Sequence, residues 1–185
     1  MSGLSDRFIV PGGLFLLALM AASAGALCAH TIPVSYLTVV PDKEFVHLEL
    51  VINPFDLTFF SEVDSNHDGR LDRDELPRFK EIGTRLLLQA IEIRVGGKVI
   101  QAEVAGTNLA PDSHHVIMRA QYRMDAREVP ISIGCSLAKI TRGGHLTSVR
   151  YINHGQRQSA VLDVGQGAVT FSPTGNSAKA SAQTH

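Results

Sequence analysis

The sequence predicts a mainly β chain: a small β-sandwich interrupted by one helical unit. Three observations predict it. Short alternating apolar runs recur along most of the chain, as in Glu44–Ile52, where Val46, Leu48, Leu50 and Ile52 share one face. Glycine-bearing turns separate the runs, with Gly96-Gly97 the clearest. Residues 54–89 alone switch to helical spacing.

The first element is expected to be a processing signal. Residues 9–29 carry no charge, and Arg7 is the only basic side chain ahead of them. A short polar start, an apolar run and a small-residue exit are the parts of a secretory signal peptide. Cleavage after Ala29 leaves His30 first; cleavage after Ala26 follows the stricter Ala24-Gly25-Ala26 pattern. The rival reading is an uncleaved anchor over residues 9–29, which is long enough to span a bilayer. Either way the expected location is outside the cytoplasm, periplasmic or extracellular.

The folded region is expected over residues 30–171. Its candidate strands are Pro33–Val40, Glu44–Ile52, Ala90–Val95, Lys98–Val104, His115–Met124, Val129–Ile140, Leu146–Asn153, Ser159–Val164 and Ala168–Phe171. Short strands such as these, joined by glycine turns, suit a small immunoglobulin-like sandwich. Gly165-Gln166-Gly167 reads as a hairpin turn. Residues 172–185, SPTGNSAKASAQTH, are small and polar and read as a disordered tail.

Composition narrows function. Among 185 residues, 17 are Lys or Arg and 18 are Asp or Glu, a formal charge of -1. That balance lacks the positive excess of a nucleic-acid footprint. Two Cys are too few for a disulfide framework or a Cys-rich zinc site. Cys135 lies in an alternating apolar stretch and reads as a buried, inert thiol. No nucleophile elbow, P-loop, dinucleotide fingerprint or H-E-x-x-H is present. The expectation is a protein that is not an enzyme.

Within residues 54–89 two amphipathic helices are expected. Phe55, Phe59, Phe60 and Val63 form one stripe; Leu76, Phe79, Ile82, Leu86 and Ala90 form another. Pro77 falls in the first turn of the second helix, where its missing N–H is tolerable. Between the helices lies Asp64-Ser65-Asn66-His67-Asp68-Gly69-Arg70-Leu71-Asp72-Arg73-Asp74-Glu75, which matches the twelve-residue EF-hand calcium loop at each required position. Asp64, Asn66, Asp68, Asp72 and Glu75 are the expected side-chain ligands, and Arg70 offers its backbone carbonyl. Gly69 permits the sharp turn. Asp72, with Glu75 three residues on, also caps the second helix. Hard oxygen donors suit Ca²⁺ over Zn²⁺ or Cu²⁺. Five acidic residues against two Arg concentrate negative charge in this loop. No second loop is found, so Leu71 needs a partner in the sandwich or in another subunit.

The phrases AHTIPVSYL and FDLTFFSEVDSNHDGRLDRDEL resemble a family of exported bacterial domains. Those begin with a His just after the signal and carry a single EF-hand loop between strands. They are often followed by membrane segments similar to the hydrogenase/urease accessory permease-like group. The resemblance covers residues 30–171. It implies a calcium ion and a protein or membrane partner in the same envelope. A second reading is an accessory module for transition metals. In it the α-amine and imidazole of His30 chelate copper or nickel, completed by His47, His114 or His115.

Overall fold

The computed structural model describes residues 32–112, 114–125, 128–173 and 179–181, the last three by backbone alone. The expected signal, and His30 with it, lies outside the described residues. The chain opens with β1 (Val34–Pro41) and β2 (Phe45–Ile52). A 3-10 turn (Pro54–Asp56), a one-turn helix α1 (Phe60–Val63) and a longer helix α2 (Leu76–Gln89) follow. Next come β3 (Ile91–Val95), β4 (Lys98–Ile100), β5 (Ala102–Leu109), β6 (Val116–Arg123) and β7 (Ile131–Cys135). After a second 3-10 turn (Leu137–Lys139) come β8 (Leu146–Asn153), β9 (Gln156–Leu162), β10 (Ala168–Phe171) and β11 (Lys179–Ser181).

The protein is mainly β, as the alternating pattern predicts. Its strands form a six-stranded sheet, ordered β5-β6-β2-β1-β8-β9, and a five-stranded sheet, ordered β11-β10-β7-β3-β4. Eleven strands are thus found among the described residues, against nine candidates in the sequence. One pairing in the larger sheet is parallel: β1 lies beside β8 in the register Leu37↔Val149.

The long strands β1, β2, β6 and β8 bury alternate residues. Val46, Leu48, Leu50 and Ile52 of β2 turn inward, as do Val116, Met118, Ala120 and Tyr122 of β6. From the smaller sheet Ile91, Ile93, Ile131, Ile133, Val169 and Phe171 belong to the same core. Tyr151 of β8 stacks on Phe171 of β10 at 5.0 Å, and the Cys135 thiol donates to Thr147 Oγ1 at 3.5 Å. These two contacts tie the sheets together near opposite ends of their strands.

Gly96 and Gly97 close the β3–β4 hairpin with φ of 56° and 84°, the positive values that a two-residue turn demands. Three expectations need correction. The expected strand Lys98–Val104 breaks at Gln101: β4 stays in the smaller sheet while β5 enters the larger one. Val129–Ile140 is a strand only over β7 and ends in a 3-10 turn. Gly165-Gln166-Gly167 does not close a hairpin, because β9 and β10 lie in different sheets. Within the expected tail, β11 pairs with β10; residues 174–178 and 182–185 lie outside the described residues.

The helical unit also departs from expectation. The first helix is one turn, not a continuous run from Phe55. Asn53 accepts the Phe55 N–H and starts the 3-10 turn, which Leu57 ends by turning extended to bridge Thr141. That bridge, with the Thr58 N–H on the Ile140 carbonyl, pulls the chain out of helix until Phe60. Phe55 is left exposed, whereas Phe59, Phe60 and Val63 are buried. α2 buries Phe79, Gly83 and Leu87, with Leu76, Ile82 and Leu86 packed at the margin. It docks on β5, where the Thr84 and Thr107 hydroxyls meet at 2.7 Å.

Candidate metal centre

Residues 64–75 form a tightly wound loop between α1 and α2. Its winding is held by its own side chains. Both Asp64 oxygens accept backbone N–H groups, from Asp68 at 3.2 Å and Gly69 at 3.0 Å. Asn66 Oδ1 accepts the Asp68 N–H, and Asp68 Oδ1 accepts the Arg70 N–H. Gly69 sits at φ 76° and His67 at 59°, where the chain reverses.

The two ends of the loop are drawn together. Glu75 Oε1 accepts from the Ser65 N–H at 2.6 Å and from the Ser65 hydroxyl at 3.0 Å. Asp72 Oδ1 accepts the Glu75 N–H at 3.1 Å while Glu75 Oε2 accepts the Asp72 N–H at 3.3 Å. This reciprocal pair is the capping box expected at the start of α2. Pro77 lies in the first turn, where no helical partner is lost.

Leu71 settles the question of its partner. Its side chain is 2% exposed and belongs to the same core as the sheets. Phe59 and Phe79 pack beside the loop with ring centroids 6.1 Å apart. The loop is therefore seated on the sandwich of its own chain.

Burial divides the expected ligands. Asp64 is 6% exposed and Glu75 5% exposed; Asn66, Asp68, Arg70 and Asp72 are exposed. Among the described residues none of these carboxylates forms an ion pair with Lys, Arg or His. Two nearly buried carboxylates thus rest on N–H and hydroxyl donors alone. Buried charges are ordinarily paired or bound to a metal. The donor set is all oxygen, which fits a hard divalent cation. Among the described residues no three His, Cys, Asp or Glu side chains converge as a ready-made metal group. The loop brings the expected ligands onto one short winding, with side-chain oxygens of Asp64, Asn66, Asp68, Asp72 and Glu75 engaged by its own backbone.

The residues of the transition-metal reading lie apart. His47 Nε2 is 2.7 Å from Asp42 at the start of β2. His115 Nδ1 is 2.7 Å from Asp112 just before β6, and the His114 N–H donates to the same Asp112. In the sheet His47 faces Gln121 whereas Val116 faces Ile52, so the two histidines sit at opposite ends of β2.

A buried polar group at the start of β1 and β8 was not legible in the sequence. His145 Nε2 is 3.1 Å from Ser35 Oγ, and the Ser35 hydroxyl donates to Thr147 Oγ1 at 3.2 Å. Ser35 must then accept from His145 Nε2–H, which leaves Nδ1 as a buried acceptor without a partner. Burial pushes the His145 pKa below 6.5, opposed by the Asp56 carboxylate. Burial also raises Asp56, opposed by His145 and Arg142. Cys135, at the far side of Thr147, is a free thiol whose pKa burial raises. It is suited to packing and poorly suited to nucleophilic work.

Comparison with protein-family models and with curated proteins finds no match for this chain.

Proposed function

We propose that the protein binds one calcium ion in the loop Asp64–Glu75 and that the ion holds the loop on an exported structural or interaction domain. Asp64, Asn66, Asp68, Asp72 and Glu75 would supply side-chain oxygens, and Arg70 its backbone carbonyl. The observation that carries the reading is the burial of Asp64 and Glu75 without a cationic partner among the described residues. A bound divalent cation supplies the positive charge that these two carboxylates otherwise lack. Leu71, seated in the core, links occupancy of the loop to stability of the fold.

Calorimetric titration with Ca²⁺ tests this. One site is expected, together with a higher melting temperature in calcium than in chelator. Glu75→Gln removes one charge and the bidentate donor, and should abolish most of both effects. Absence of heat, with identical melting in calcium and chelator, would sink the proposal.

A further inference from the structure

The outward face of the larger sheet carries an apolar row at the N-terminal end of β1. The register sets Ile117, Val51, Tyr36, Ser148 and Val161 side by side across β6, β2, β1, β8 and β9. Tyr36 is 54% exposed and Val161 53% exposed. Val34 and then Ile32, 61% exposed, continue the apolar surface toward the start of the chain. Exposed apolar area gathered in this way marks a place that another surface covers.

Charge is uneven on the same face. β1, β8 and β9 are neighbours in the sheet and contain no Asp or Glu. They contain two Arg. Arg150 stands one row on from Tyr36, between Thr38 and Ser159, and Arg157 a further row on, beside Ile152. Both are exposed, and neither forms an ion pair among the described residues. On the other half of the face Glu49 is already paired with Arg119. Asp163, just past β9, accepts the Gly165 and Gln166 N–H groups. The acidic loop leads into α2, which docks on β5 at the far edge of the sheet from β9.

A second copy is a poor cover. A two-fold contact through β1, β8 and β9 would bring Arg150 and Arg157 against their own copies, with no carboxylate on these strands to answer them. The uncharged run 9–29 ends three residues before Ile32, a span of at most about 11 Å of chain. As an anchor, that run holds Ile32 at a membrane surface. We propose that this face lies on an anionic phospholipid bilayer, with Ile32, Tyr36 and Val161 at the acyl boundary and Arg150 and Arg157 on lipid phosphates. Tyrosine is favoured at that depth, and guanidinium groups bind phosphate in paired hydrogen bonds. The proposal rests on residues 9–29 being retained as an anchor, and not on the calcium site.

The chain contains no Trp, so Tyr36→Trp and Val161→Trp each install a single reporter at an exposed position. Val99→Trp, on β4 of the smaller sheet, is the control. The full chain is reconstituted in vesicles of phosphatidylcholine and phosphatidylglycerol, with or without bromine on the acyl chains. Bromine should quench the reporters at positions 36 and 161 at least about twofold and leave that at 99 unchanged. Omitting phosphatidylglycerol, or adding Arg150→Glu with Arg157→Glu, should remove about half of that quenching. Either reporter suffices if the other variant does not fold. A chain that floats with the vesicles while both reporters match the control overturns the face and leaves the anchor standing. A chain that does not float overturns the anchor and the proposal with it. Equal quenching in vesicles of phosphatidylcholine alone overturns the anionic lipid. Reporters that are blue-shifted yet unquenched assign the face to a second copy and overturn the proposal as well.

Discussion

The two ends of the sandwich are built by opposite means. Where β2 finishes and β3 and β8 begin, residues 53–90 and 136–145 close over the core, and Phe59, Phe60, Val63, Leu71 and Phe79 fill the space. At the other end short turns join β1 to β2 and β8 to β9, and a cavity is lined by Met124, Val129, Ile131 and Tyr151. The contrast teaches how unevenly stability depends on the two ends. The filled end couples an anionic loop to the core, so a change there is felt by the whole fold. At the open end Met124 and Val129 are only partly buried, so a change at either carries less of that penalty.

The largest difference should appear in core truncation. Phe79→Ala at the filled end is expected to cost about 3–5 kcal/mol of unfolding free energy. Val129→Ala at the open end should cost below about 1 kcal/mol, since little packing is removed. Urea denaturation measures both, and equal losses would break the comparison. Next comes calcium. If free Ca²⁺ stands at about 100 times its dissociation constant, the intact loop gains about 2.7 kcal/mol. Asp64→Asn should lose much of that gain, read as the difference between melting in calcium and in chelator.

The pattern of legibility follows from the same contrast. The faces of β2 and β6 were readable because strand alternation is a local property. Val46, Leu48, Leu50 and Ile52, and Val116, Met118, Ala120 and Tyr122, are buried as their spacing predicts. The winding of residues 64–75 was readable because the side chains that hold it and Gly69 lie on one contiguous stretch. The length of α1 was not, because the Leu57–Thr141 bridge that breaks it comes from 84 residues downstream. The switch of sheets at Gln101 was hidden for a similar reason: alternation does not say which sheet a strand joins. The group of Ser35, Thr147 and His145 is likewise assembled from distant segments and has no signature along the chain.

A smaller effect sharpens the filled end by pH. The folded-state pKa of His145 lies below 6.5, so the unfolded chain takes the proton first. This contribution to stability is full above 6.5 and is lost as pH falls through the folded value. Asp56 has the opposite sign and a lower window, since its pKa is raised from 3.8. On mild acidification His145 therefore dominates. Urea midpoints measured as pH is lowered through 6.5 should fall in the native chain and hold flatter in His145→Asn. Equal slopes would remove His145 as the cause. The smallest effect is expected on the outer face of the larger sheet. Glu49→Gln breaks the exposed pair with Arg119 and should shift stability by under about 0.5 kcal/mol.

The parallel pairing of β1 with β8 has a consequence for the order of assembly. Ser35 and Thr147, which meet in the core, are 112 residues apart in sequence. The larger sheet cannot be completed until β8 has been made, so β1 waits for nearly the whole chain. Contacts of such long range slow folding. Were the chain exported as proposed, that delay would keep β1 from locking into its final sheet before the rest of the sandwich is made.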